Sequence, residues 1–204
     1  YQRVLFERKR AEFKFFLERE CNVTTPIIYR VDDVGTFDFY CVGSDQIWNP
    51  LICHGFDPMF FGDYISIKGK RLIAYAPSVG SLKHFDDKQK KKFLEKLISF
   101  HAISCREAEP AEFISQGLNR DIPIVLDPTL LAGRDVFEKV ATPMDRQKPY
   151  LLLFTLGNND RTSAVAYNIA KKKGLRVIEI VSYQTSIAKR SAKQAVSVND
   201  FLGY

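Results

Sequence analysis

Leu5, Phe6, Phe13, Phe16 and Leu17 recur at helical spacings among Arg, Lys and Glu, which predicts an amphipathic helix over residues 1–20. Asn22 to Pro26 breaks that pattern. From residue 37 onward short, nearly all-apolar runs take over. Phe37 to Val42, Arg71 to Ala76, Ala102 to Cys105 and Ile122 to Leu126 read as strands. Asp86 and Asp87 can cap a helix running to about Phe100, with Phe93, Leu94, Leu97 and Ile98 on its buried side. A shorter helix follows the third strand and is expected to end near Gly117 as its C-cap. Strands without polar alternation belong in a parallel sheet covered on both faces. The alternation of strand and helix therefore predicts an α/β fold with an open, doubly wound, Rossmann-like sheet.

Residues 141–148 form a polar stretch with a proline, and the theme then restarts. A strand at Tyr150 to Leu156, a helix from about Asn159 to Lys173 and a strand at Leu175 to Val181 repeat the βαβ unit. The expected organisation is a Rossmann-like domain over residues 1–140 lacking its opening strand, a linker at 141–148, and the truncated start of a second Rossmann-like domain at 149–204. The chain opens at Tyr1 inside a helical pattern and stops as Asp200-Phe201-Leu202 begins another helix. The expectation is a central piece of a longer protein, both ends missing.

Composition narrows the chemistry only a little. Thirty Lys and Arg against 24 Asp and Glu give a net charge of +6. This suits an anionic ligand, a polyanion or an acidic membrane surface, although a solvated basic surface is the plainer account. The lysines gather at Lys88, Lys90, Lys91, Lys92 and Lys96 and at Lys171, Lys172 and Lys173, on expected helices where a solvated face belongs. No interleaving of aromatic and basic residues suggests a nucleic-acid partner. No apolar run is long enough for an integral membrane segment. Cys21, Cys41, Cys53 and Cys105 form no CxxC pair and no zinc pattern. Cys41 and Cys105 lie in apolar runs, as small core residues do. A reducing, cytoplasmic compartment is expected, with no metal site and no cofactor.

Ligands of open parallel sheets bind at the carboxyl ends of the strands, and three such ends carry unusual polar groups. After the first strand come Gly43, Ser44, Asp45, Gln46 and Trp48. Small residues let backbone approach a ligand, Asp45 offers a carboxylate, Gln46 an amide, and Trp48 a flat face for a sugar. The alternative is an Asp-containing turn beside a core tryptophan. After the second strand, Ser78 offers a hydroxyl and Gly80 backbone access, or the segment is a plain exit loop. After the third, Arg106 is placed for bidentate binding of a carboxylate or phosphate, or pairs with a nearby acid such as Glu107 or Glu109.

Taken in order, the runs FDFYCVGSDQIWNP, KRLIAYAPSVGS, ISCREAE and IPIVLDPTLL resemble successive blocks of the polysaccharide pyruvyl transferase family. The resemblance continues through KPYLLLFTLGN to VNDFLGY and covers roughly residues 37–204. Phe137 stands where the family often has tryptophan. An early strand with a glycine-containing loop and a later Ser-Phe-His-Gly-like run have no counterpart here. The resemblance implies a GT-B-like enzyme of two Rossmann-like domains facing a cleft, the second incomplete in this chain. It implies transfer of pyruvate from phosphoenolpyruvate to sugar hydroxyls of a cell-surface polysaccharide, exopolysaccharide or capsule, or of its lipid-linked precursor. A lipid-linked acceptor would place the cytoplasmic enzyme against the inner membrane. Arg106 then matches a donor-binding residue, with Ser78 and Gly80 beside it. Asp45 becomes a candidate base or acceptor orienter, with Ser44, Gln46 and Trp48 on the acceptor side. The acid is expected on the histidine of the absent run, and His54, His84 and His101 are read as structural. The piece alone is expected to be inactive. A nucleotide-sugar glycosyltransferase and a non-catalytic sugar-binding relative share the expected fold and stay open as alternatives.

Overall fold

The structure, a computed structural model, describes residues 2–21, 34–63, 70–143, 149–156, 160–181 and 197–203, without the side chains of residues 2–9 and 181. It divides into two compact units, Pro26–Gly133 and a discontinuous one of Tyr1–Thr25 with Arg134–Tyr204.

In the Pro26–Gly133 unit, β1 (Phe39–Val42), β2 (Arg71–Ala74) and β3 (Ala102–Ile103) form a parallel sheet in that order. Tyr40 pairs with Leu72, Val42 with Ala74, and Ala74 with Ile103, so these side chains share one face. A single parallel bridge, Cys105 to Ile124, is all that forms of the expected fourth strand among the described residues. The connections are α2 (Asp87–Leu97) between β2 and β3, and α3 (Ala108–Leu118) after β3. Strands laid down in sequence order by right-handed crossovers place every connecting helix on the same face. The two helices touch there, Leu94 lying against Gly117. Both faces were expected to be covered. The opposite face instead leaves Phe39 53% exposed and Cys41 exposed, so Cys41 is no core residue, whereas Cys105 is fully buried.

The covered face carries the core, and it is strongly aromatic. Trp48 stacks on Phe61 at 5.8 Å and meets Phe93 and Phe100 edge-on at 5.5 and 5.7 Å. All four rings are buried, each stabilising the fold by about 1.5–3 kcal/mol through area removed from water. Asp86 caps α2 as the sequence suggests: it accepts the Gln89 amide at 2.7 Å while the Gln89 side chain accepts the Asp86 amide at 2.9 Å. The end of α3 differs from expectation. Gly117 lies inside the helix, where a Cβ would come within 2.5 Å of Leu94, and Asn119 is the left-handed C-cap at φ 50°. Asp127 then caps a further short helix, α4 (Pro128–Leu131).

The discontinuous unit holds α1 (Gln2–Glu20), α5 (Arg134–Val140), β4 (Tyr150–Thr155), α6 (Asp160–Lys173), β5 (Arg176–Val181) and α7 (Val198–Gly203). β4 and β5 pair in parallel from Tyr150 with Arg176 to Thr155 with Val181. Ala166 and Ala170, both buried, let α6 approach this pair closely. The Asn199 side chain donates to the Val140 carbonyl, and the Thr142 amide donates to the Asn199 carbonyl at 2.9 Å, tying α5 to α7. Compactness thus groups α5, and α1, with the second unit, whereas the sequence reading counts both to the first domain. Residues 144–148 of the expected linker and the break at 22–26 lie outside the described residues. Both sheets are parallel and the fold is mixed α/β. No helix among the described residues is long and apolar enough to cross a membrane.

Candidate functional site

The loops leaving β1 and β2 are locked together by backbone contacts. The Ser78 amide donates to the Asp45 carbonyl at 2.8 Å, and the Trp48 amide donates to the Ser78 carbonyl at 3.2 Å. Gly43 sits at φ 127° so close to the second strand that a Cβ would lie 2.0 Å from the Tyr75 carbonyl oxygen. Gly80, at φ 73°, faces the Asn49–Gln46 side-chain pair, with 2.4 Å between its ideal Cβ and Asn49 Nδ2. Close to the strand exits, Asp45 at φ 48° and Ala76 at φ 52° occupy the left-handed region although neither is glycine. Such conformations persist where surrounding structure over-determines them, and they gather at functional sites. β3 joins through Ser104, whose hydroxyl donates to the Ala74 carbonyl and accepts the Ala76 amide, both at 3.2 Å.

Arg106 stands just beyond β3 at the centre of this edge. Its Nη1 donates to Asp127 Oδ2 at 2.8 Å, its Nε to Glu107 Oε1 at 3.1 Å, and its Nη2 to Asp45 Oδ1 at 3.4 Å. The acid pairing left open by the sequence is therefore present, through Glu107 rather than Glu109, and two further carboxylates join it. One cation against three carboxylates leaves the cluster net negative. Burial pulls the Arg106 pKa down, but the hydrogen bonds it donates to Glu107, Asp127 and Asp45, together with the Glu107 charge, outweigh it and raise the value, so the guanidinium stays charged.

Asp127 is the best-held of the acids. The Thr129 hydroxyl and amide both donate to its Oδ1, at 2.7 and 3.0 Å. Those two bonds, helped by Arg106 and Ser44 against partial burial, bring its carboxyl down to about 2. Glu107 is less settled, since its Oε2 is buried without a hydrogen-bond partner among the described residues. Below the cluster, burial and the Glu107 charge push the Cys105 thiol up to about 12, and burial also raises Cys53, so neither is primed as a nucleophile.

The structure thus brings Ser44, Asp45 and Arg106 together and adds Asp127, Glu107 and Thr129. The side chains of the other candidates make no hydrogen bond to this cluster among the described residues. Trp48 has no exposed surface, its ring covered by Phe61 and its Nε1 donating to the Phe60 carbonyl at 3.1 Å, so it offers a sugar no face. Ser78 is buried and its hydroxyl accepts the Gly80 amide at 3.0 Å, which braces the loop. Gln46 accepts from the Asn49 side chain at 2.6 Å, and Gly80 backs that pair. His54, His84 and His101 are all exposed. A depression of about 440 Å³ lined by Phe61, Asp63, Lys92 and Lys96 lies at the C-terminal half of α2, away from the strand ends.

Asp127 escaped the sequence reading, although its signal was present. Asp-Pro-Thr is a helix-cap sequence, with Asp at the cap and Pro at the first helical position. Comparison with known proteins gives one match. The family model for polysaccharide pyruvyl transferase covers residues 2–203, so it takes in α1 as well as the strand-end loops. No curated protein and no solved structure matches the chain.

Proposed function

The chain belongs to the polysaccharide pyruvyl transferase family, and on that premise we propose that it moves pyruvate from phosphoenolpyruvate to hydroxyls of a sugar acceptor, with the strand-end cluster as part of its active site. The observation that carries this reading is Arg106, a permanently charged planar fork at the carboxyl edge of a parallel sheet. Phosphoenolpyruvate presents a carboxylate and a phosphate, and a guanidinium binds either in bidentate fashion.

The reaction divides the labour in a way that fits these groups. Protonation of the donor's methylene carbon builds positive charge at the neighbouring carbon, and an acceptor hydroxyl attacks there. Phosphate departs with its bridging oxygen, a second hydroxyl closes the ketal, and the two hydroxyl protons go to base and solvent. Asp45, exposed at the rim, is suited to orient or deprotonate an acceptor hydroxyl. Asp127 is ionised at neutral pH and Arg106 does not release its proton, so neither is the acid. We place that acid on the family's histidine run, which none of His54, His84 and His101 matches. The parallel βαβ elements of the two compact units support reading them as parts of two Rossmann-like domains in a GT-B-like enzyme.

Steady-state kinetics test the assignment. Arg106→Ala is expected to lower kcat/KM for phosphoenolpyruvate by about 2–5 kcal/mol of transition-state stabilisation, the scale of a lost charge-assisted contact. Arg106→Lys is expected to recover only part of it, because a point charge cannot replace the fork. An unchanged donor dependence in the alanine variant would end the assignment.

A further inference from the structure

The three carboxylates around Arg106 are not equivalent. Asp127 is 20% exposed, bonded at 2.8 Å, and its other oxygen is held twice by Thr129. Glu107 is 39% exposed and bonded at 3.1 Å. Asp45 is 85% exposed, and its 3.4 Å contact with Nη2 is its sole side-chain hydrogen bond among the described residues. Its backbone, by contrast, is fixed, with the carbonyl bound to the Ser78 amide at 2.8 Å. The side chain can swing away without disturbing the loop.

Charge balance makes that difference matter. A net-negative cluster repels an anion, yet Nη2 is the one edge of the guanidinium whose present partner is weakly held. We propose that Asp45 is an exchangeable partner of Arg106, standing in the place of the donor's anionic group, while Asp127 and Glu107 are positioning residues that aim the guanidinium. Donor binding displaces the Asp45 carboxylate from Nη2 and releases it to the acceptor hydroxyl. The donor therefore binds before the acceptor is activated. This inference rests on the reading of Arg106 as the donor-binding residue.

Titration calorimetry of the intact protein with phosphoenolpyruvate separates the two. Asp45→Asn is expected to tighten binding about threefold, the worth of one exposed ion pair. Asn tolerates the left-handed backbone at this position, so the variant keeps the loop. Asp127→Asn keeps a good helix cap but loses the charged anchor, and is expected to weaken binding about tenfold. Opposite signs are the signature, because simple removal of negative charge near an anion would tighten both. Both variants tightening would overturn the proposal, as would unchanged or weaker binding in Asp45→Asn while Arg106→Ala loses binding. The functional reading would survive that last result. Full binding by Arg106→Ala would sink both. If Asp127→Asn fails to fold, Asp127→Ser, which also keeps a good helix cap without the charge, supplies the second sign.

Discussion

Gly43→Ala is the sharpest perturbation of the frame that holds the site. Two effects add at this position. The first is backbone strain, since φ 127° is outside the range of an L side chain, with a cost of about 1–3 kcal/mol. The second is collision, because the new Cβ would lie 2.0 Å from the backbone oxygen of Tyr75. Relief requires the β1 and β2 exits to separate by about an ångström, a displacement that close packing does not absorb. The Ser78–Asp45 and Trp48–Ser78 backbone bonds, at 2.8 and 3.2 Å, span the same junction. Weakening both and stranding their buried groups adds about 2–4 kcal/mol. Gly55 is the internal control, because it has nearly the same φ, 122°, but its Cβ would meet nothing within 4 Å. Gly55→Ala carries the strain without the collision. The assay is urea unfolding followed by fluorescence of Trp48, which is the single tryptophan of the sequence and lies buried in the Pro26–Gly133 unit. Gly43→Ala is expected to lose at least about 2 kcal/mol more than Gly55→Ala. Equal losses would show that the close approach at the strand exits is not what makes glycine necessary.

Gly117→Ala tests the opposite balance. Its Cβ would come 2.5 Å from Leu94 Cδ1, but that is the movable tip of a half-buried side chain, and alanine gains about 1 kcal/mol of helix propensity. The same fluorescence assay should find it within about 0.5 kcal/mol of the unmodified protein, the scale of a neutral surface change. Acid titration tests Asp127. Its carboxyl is lowered in the fold from 3.8 to about 2, so its contribution is complete above 3.8 and disappears as the pH falls through about 2. The urea midpoint should decline over that window, and decline less in Asp127→Asn. Equal declines would mean that the Thr129 and Arg106 bonds do not hold the carboxylate.

What the sequence discloses is local. Apolar runs long enough to be strands reveal the sheet segments, and the expected capping residues Asp86 and Asp87 reveal the start of α2. Where two local signals compete, the reading slips: Gly117 looks like a helix stop, but it lies within α3 against Leu94 and Asn119 takes the cap. Trp48 in a polar loop is indistinguishable from a sugar platform until Phe61, Phe93 and Phe100 close around it. The Arg106 cluster is less visible still. Asp45, Arg106 and Asp127 lie 61 and 21 positions apart, and only the parallel order of the strands makes them neighbours. The exposure of Phe39 and Cys41 on one side of β1 is likewise invisible in an apolar run whose two sides look alike.

The measurement that bears most directly on the account is transfer of label from the pyruvate carbons of phosphoenolpyruvate to saccharide acceptors containing galactose, mannose or N-acetylmannosamine. It should be run on the intact protein and its Arg106→Ala variant, with nucleotide sugars as competing donors. The expected result is acceptor-dependent phosphate release matched one for one by label in the acceptor, abolished or strongly reduced without Arg106. Glycosyl transfer from a nucleotide sugar with no pyruvyl transfer, or pyruvyl transfer indifferent to Arg106, would contradict it.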